Sequence, residues 1–300
     1  MVCMNGKTRF YVYRGNIEFK DTTIFNCDLI GNSEAKNELF TKFFNDLKQK
    51  KLKSNYDVRE YILLYVRDIT DNIIHCQLAR KRNTCIYELK NEKINELKSD
   101  DYPYVNVFIE IKSQKFLIES NTKVYENPET CKKIIENIMK TDLNESDAFI
   151  VINPITEEEK FWEKVENNDV YSITFKLNTP NWMDSKNSAT ELMQDIRKNT
   201  GASCAKFECF NNENPLDLNK EGIDSFLEYS IEGAGEWSMR YRDRETGEKK
   251  YARSSKRGKS IIINFEDDLL NETNNALTIR IIKDAFDEVE KFERFRGVKK

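Results

Sequence analysis

Apolar and polar positions alternate with a period of two along most of the first hundred residues, the pattern of half-buried strands. Arg9-Phe10-Tyr11-Val12-Tyr13-Arg14 is aromatic and β-branched, and Gly15-Asn16 predicts a tight turn into Ile17-Glu18-Phe19. The period then changes. Ser33 can cap a helix whose apolar face is Leu39, Phe40, Phe43, Phe44 and Leu47. Residues 61–66, 73–78 and 84–89 return to strand patterning and predict an antiparallel meander. The charged run 90–101 reads as a boundary, so residues 1–100 are expected to form a β-rich domain with one helix.

From Tyr102 strands and helices alternate. Val105, Val107, Ile109 and Ile111 point one way, and Ser113-Gln114 turns the chain into Phe116-Leu117-Ile118. Pro128 starts a helix striped by Ile134, Ile135, Ile138 and Met139. Strands follow at 149–152, 171–177 and 205–210, with capping boxes Thr156-x-x-Glu159 and Ser188-x-x-Glu191 ahead of the intervening helices. Residues 218–229 read as a helix, Gly233-Ala234-Gly235 as a mobile turn, and 237–241 as a strand that turns back at Glu245-Thr246-Gly247. Leu277, Ile281, Ile282, Phe286 and Val289 mark a C-terminal amphipathic helix. The fold class expected is α+β, with mixed, mainly antiparallel sheets, short helices on one face, and a second domain over 101–300 carrying a basic hairpin at 236–260. The helices are short and no glycine-rich turn joins strand to helix, which argues against a Rossmann or P-loop nucleotide site.

Composition narrows the function more than the fold. The 300 residues carry 52 acids and 48 bases for a net charge of -4, so bulk basicity cannot drive nucleic-acid binding. No apolar run is long enough for a membrane span, and the first residues lack a signal-peptide core, so a cytoplasmic protein is expected. Seven scattered cysteines without a C-x-x-C read as free thiols. His75 is the single histidine, which leaves no material for Ser-His-Asp triads or multi-histidine metal centres. It sits within a strand-like run and reads as a structural residue.

Two constellations carry candidate chemistry. Arg240, Arg242, Arg244, Lys249, Lys250, Arg253, Lys256, Arg257 and Lys259 gather in one stretch against Asp243, Glu245 and Glu248. Trp237, Tyr241 and Tyr251 interleave with them. A hairpin with cations and rings can hold phosphates by charge and stack bases. The cations and the rings of Tyr241 and Tyr251 are therefore the candidate contacts to nucleic acid or an acidic protein surface, with 254–259 as a flexible basic loop. Arg80-Lys81-Arg82 and the run 48–53 are weaker basic patches. The second constellation is Asp101, Glu110 and Lys112. An acid followed by Glu-x-Lys on a strand is the skeleton of Mg²⁺-dependent nucleases, in which carboxylates hold the ion and lysine activates water. Trp182, after Pro180-Asn181, is a candidate exposed anchor.

Residues 103–111, 116–119, 149–154 and 173–181 together resemble an uncharacterised bacterial family, a domain of unknown function found in phage-defence loci and mobile elements. The resemblance spans roughly 103–181 and implies a setting of phage–host conflict, with no active-site residue to carry over. The leading expectation is a non-enzymatic binding subunit without a cofactor, free of the membrane, and either homo-oligomeric or part of a defence complex. The alternatives are the Mg²⁺-dependent nuclease and a phage-encoded inhibitor of a host defence complex.

Overall fold

The computed structural model describes residues 6–19, 33–90, 92–178, 188–265 and 276–296. Cys3, Cys27 and Trp182 lie outside them. The fold is α+β, and every strand pairing among the described residues is antiparallel.

The first sheet is built on β1 (Gly6–Phe19), a single long strand. Gly15 does not turn the chain, although its sequence context predicts a turn there. An added Cβ there would lie 2.8 Å from Ile150 Cδ1 and 2.9 Å from Phe116 Cε2, so the glycine leaves the room into which these side chains close on the strand. One edge of β1 pairs with β8 (Lys115–Glu119), and the sheet continues through β7 (Tyr104–Glu110), β4 (Ile73–Arg80), β3 (Arg59–Asp68) and β2 (Leu52–Tyr56). The other edge is shared end to end by β9 (Ala148–Pro154) and β14 (Ser260–Phe265). The strands on either side of the boundary expected at residue 100, β4 and β7, pair with each other in this sheet. The charged run after Lys90 is strand too. β5 (Arg82–Lys90) leaves the expected meander and pairs with β6 (Lys93–Asp101) as a separate two-stranded ribbon.

Both faces of the first sheet are covered. On one, Val105, Val107, Ile109, Phe116 and Ile118 pack beneath α1 (Ser33–Leu47) and α2 (Pro128–Asp142). The helix stripes read from sequence are the residues buried there, Phe40, Phe43, Phe44 and Leu47 from α1 and Ile134, Ile135, Ile138 and Met139 from α2. Asn127 caps α2 by accepting from Thr130 N, with Pro128 in the first turn. On the other face Phe10, Val12, Phe108 and Leu117 pack with Ile282, Phe286 and Val289 of α6 (Ala276–Arg296). His75 is buried there against Phe108, ring centroids 4.7 Å apart, and its Nε2 bonds Asn106 Oδ1 at 2.9 Å. It is structural, as expected. Burial pulls its pKa down to about 4 despite that hydrogen bond, and Arg67 adds to the fall.

The second sheet has four strands, in the order β11 (Cys204–Phe210), β10 (Asn168–Asn178), β12 (Gly235–Asp243), β13 (Lys249–Arg253). Ile173, Phe175, Leu177, Trp237, Met239 and Tyr241 turn to one side of it. There they meet α3 (Glu158–Asn167), α4 (Ser188–Thr200) and α5 (Lys220–Tyr229). The expected capping box at Thr156 does not form. Glu157 is the cap residue and makes no side-chain cap bond, while the backbone N–H of Thr156 donates to Ile231 O.

The turn expected to be mobile is a buried joint between the sheets. Residues Ser230–Ala234 form a π-type turn in which Gly233 adopts φ +88°. The Gly233 carbonyl accepts from Asn16 Nδ2 at 3.0 Å and Asn153 Nδ2 at 3.2 Å, and Arg14 Nη1 donates to Glu232 O at 3.0 Å. An added Cβ at Gly233 would lie 2.7 Å from Arg14 Cβ, so the conformation and the space both demand glycine.

Candidate nucleic-acid interface

Antiparallel register fixes what the uncovered face of the second sheet presents, because directly opposite residues share a face. Three rows cross it. Phe210, Ser172, Arg240 and Tyr251 form the first, and Glu208, Thr174, Ser238 and Arg253 the second. Lys206, Lys176 and Glu236 form the third. Arg242 and Lys249, paired with each other, extend the face towards the hairpin tip. The face thus carries Lys176, Lys206, Arg240, Arg242, Lys249 and Arg253 against Glu208, Glu236 and Asp169, the last directly opposite Arg242. The middle strands contribute small hydroxyls, Ser172, Thr174 and Ser238, and the outer strands contribute rings. Phe210 is 61% exposed and Tyr251 59%. At ~4.8 Å per strand they stand roughly 14 Å apart across the sheet. Between them lies a shallow depression of about 240 Å³, lined by the three hydroxyl residues with Lys206, Glu208 and Arg240.

Local ion pairs orient this face without burying it. Lys206 Nζ lies 2.8 Å from Glu208 Oε2, and Arg240 Nη2 lies 3.7 Å from Glu208 Oε1. The Lys206 hydrogen bond holds the Glu208 carboxyl below its usual range. The Arg242 guanidinium sits 5.8 Å from the Tyr171 ring centroid.

The hairpin expected from sequence is present, but it divides the candidate residues. Arg240, Arg242, Lys249, Tyr251 and Arg253 are on the open face. Tyr241 turns to the core and is 8% exposed, so it is no stacking group. Lys250, opposite Tyr241, points the same way and bonds Asp243 Oδ2 at 2.7 Å. That bond and the turn N–H groups pull Asp243 down to about 2. Arg244 latches the hairpin tip, donating to Asp169 Oδ1 at 2.8 Å and Glu166 O at 2.7 Å. Lys259 is buried, and its backbone bonds Val12 and Ile155 of the first sheet. The supposed flexible loop is a 3₁₀ turn, Ser254–Arg257, with Ser254 buried beneath Trp237 N. The side chains of Lys256 and Arg257 lie outside the described residues. Sequence reasoning missed Lys176, Lys206 and Phe210, which come from other strands. The polar alternation of residues 172–176 and 206–210 was the signal that could have found them.

A cleft of about 1060 Å³ opens beside this face, and Lys176, Glu236 and Arg253 line both. Its far wall is α2, with Lys132, Lys133, Lys140, Glu129 and Glu136, and Tyr11, Tyr13 and Tyr56 complete it. Lys132 Nζ lies 3.3 Å from Glu236 Oε1 and 3.8 Å from Glu129 Oε2. Burial alone would lower the Lys132 pKa, but Glu136, Glu236 and Glu129 outweigh it and raise it. Burial raises Glu136, whose Oε1 accepts from Ile152 N at 2.7 Å, and raises Glu129. The cleft therefore holds Lys132 among three carboxylates, with Lys133 and Lys140 along the same wall.

The other sequence candidates do not assemble. Asp101 ends the ribbon and bonds Arg82 Nε at 2.7 Å, whereas Glu110 ends β7 and accepts from Ser113 Oγ. At ~3.3 Å per residue the extended chain between them spans roughly 30 Å. Lys112 is exposed in the turn beyond, its N–H donating to Asn72 Oδ1. These three residues make no Mg²⁺ site, and among the described residues no group of three or more His, Cys, Asp or Glu could hold a metal. The weaker basic patches are paired locally, as Lys48–Asp68, Lys50–Asp142, Lys53–Glu60, Lys81–Asp100 and Arg82–Asp101. Among the described residues no helix is long and apolar enough to cross a membrane.

No curated protein matches the chain. The family described as a domain of unknown function, DUF4747, matches residues 24–283, and the chain belongs to that family.

Proposed function

We propose that this chain binds single-stranded nucleic acid on the open face of its second sheet, as a subunit acting in phage–host conflict. The observation that carries the binding is the row Phe210–Ser172–Arg240–Tyr251, which sets two exposed rings on either side of a guanidinium. Unpaired bases can stack on such rings, and their phosphates can meet Arg242, Lys249, Lys206 and Arg253. An open sheet face with small hydroxyls at its centre suits splayed bases better than a duplex groove, which a helix or narrow ribbon enters. The neighbouring cleft, entered past Lys176 and Arg253, extends the path of the strand towards Lys133 and Lys140. The phage–host setting comes from the family resemblance alone.

The test is fluorescence anisotropy with labelled single-stranded and duplex oligonucleotides over a series of salt concentrations. Single strands should bind more tightly, with affinity falling steeply as salt rises. Replacing Phe210 or Tyr251 by Ala should cost about 1–3 kcal/mol each, and Arg240→Glu should weaken binding and flatten the salt slope. Binding indifferent to salt and to these substitutions would overturn the reading.

A further inference from the structure

The β5–β6 ribbon leaves the first sheet as a separate two-stranded unit. Every described side chain from Glu88 to Asp100 is exposed, including Leu89 at 75%, Ile94 at 74% and Leu97 at 45%, and Ile86 and Tyr87 below them are 48% and 67% exposed. A lone two-stranded ribbon is marginal in water, and its outer edges offer unpaired backbone groups to another strand.

The sequence of β6 is complementary to itself. Read antiparallel about Leu97, it places Lys93 opposite the partner's Asp101, Asn95 opposite the partner's Ser99, and Glu96 opposite the partner's Lys98, with Ile94 opposite the partner's Asp100 as the one unmatched pair. Leu97 then meets the partner's Leu97. Ile86 is already paired with Leu97 within the ribbon, so the same row continues as Ile86, Leu97, the partner's Leu97 and the partner's Ile86. Opposite residues share a face, and this row is apolar from end to end. The edge of β5 would keep an apolar row about Ile86 but lacks the charge complementarity. Read about its centre, Ile86, it sets Arg82 opposite the partner's Lys90, a like-charge pair.

We propose that β6 pairs edge to edge with β6 of a second copy of this chain, forming a four-stranded antiparallel ribbon with its two-fold axis at Leu97. The pairing is independent of nucleic-acid binding, because the open face of the second sheet takes no part in it.

Sedimentation velocity on the full chain tests it. The wild type should dimerise at micromolar concentration. Glu96→Lys alone, or Lys98→Glu alone, makes two like-charge pairs per dimer and should weaken dimerisation roughly tenfold. The double swap Glu96→Lys with Lys98→Glu recreates both attractive pairs and should restore it, which a merely misfolded ribbon would not. Leu97→Cys should form a disulfide across the two-fold axis on oxidation, and Leu89→Cys, at the ribbon tip, should not. A chain that stays monomeric, a dimer indifferent to the single charge reversals, or a dimer the double swap fails to restore would overturn the proposal.

Discussion

Two charged hairpins, β12–β13 and β5–β6, meet opposite fates in this molecule. In β12 the apolar residues Trp237, Met239 and Tyr241 fall on one side, and Ala252 of β13 joins them in the core. Its cations are left to share the other side with Tyr251. In β5–β6 the apolar residues split, Ile86 and Leu97 on one face, Tyr87, Leu89 and Ile94 on the other. Neither face of the ribbon is apolar enough to seat it on a sheet, so it projects. Burial here follows from the confinement of apolar residues to one face rather than from their number, and confinement on one side is what frees the other side to bind.

The strongest way to break this comparison is to remove one ring from each hairpin. Trp237 is 1% exposed and meets Phe161 edge to face at 5.1 Å. Trp237→Ala should cost about 3–5 kcal/mol of stability. Tyr87→Ala in the ribbon should stay within about 0.5 kcal/mol. Urea denaturation of both variants, at a concentration where the chain is monomeric, checks the pair. Similar losses would mean that the ribbon is packed in solution.

The next effect concerns the root of the ribbon. His75 on β4 and Asn106 on β7 are joined across the two strands from which the ribbon grows. The folded protein holds His75 neutral, with a pKa of about 4 against the ordinary 6.5. The unfolded chain takes up this proton below pH 6.5 and the folded chain does not. The contribution is therefore complete above pH 6.5 and is lost as the pH falls from there to about 4, a change of about 3 kcal/mol. Carboxylates titrate in the same window, so the informative quantity is the difference between wild type and His75→Gln. That difference should shrink steadily from pH 7 to pH 4. A constant difference would show that the ring is not the buried neutral group its surroundings imply.

Much of this was legible in the sequence because one physical rule, the period of apolar residues, fixes which side of an element is buried. The stripes of α1 and α2, the strand at 171–177 and the hairpin at 236–260 follow from it directly. Where the rule ran out, the reasons differ. Gly15 and Gly233 carry the same turn signal in sequence, but one leaves room for Ile150 and Phe116 and the other is demanded by a joint with Arg14, contacts made by residues far along the chain. The binding face was half legible. Arg240, Arg242, Lys249, Tyr251 and Arg253 stand close in sequence, whereas Lys176, Lys206 and Phe210 join them only through pairing between β10, β11 and β12. The same local density misled at Tyr241, Lys250 and Lys259, because in a strand every second residue belongs to the other face.

The smallest expected effect sharpens the comparison at the tips. Arg244 holds the β12–β13 turn against Asp169 and the Glu166 carbonyl, but its side chain is 54% exposed. Arg82 holds the ribbon's base against Asp101 at a similar 46%. Exposed pairs of this kind are worth no more than about 1 kcal/mol, so neither Arg244→Ala nor Arg82→Ala should shift the denaturation midpoint much. Their local consequences should nonetheless differ. Without Arg244, hydrogen exchange at the β12–β13 turn should quicken while Trp237 and Met239 stay protected, since the core beneath them is intact. Without Arg82, exchange should quicken along the whole of β5 and β6, because no core beneath the ribbon limits the opening. If protection in the ribbon instead survives Arg82→Ala at a concentration where the chain is dimeric and fails only on dilution, the partner strand supplies the order that the ribbon's own faces do not.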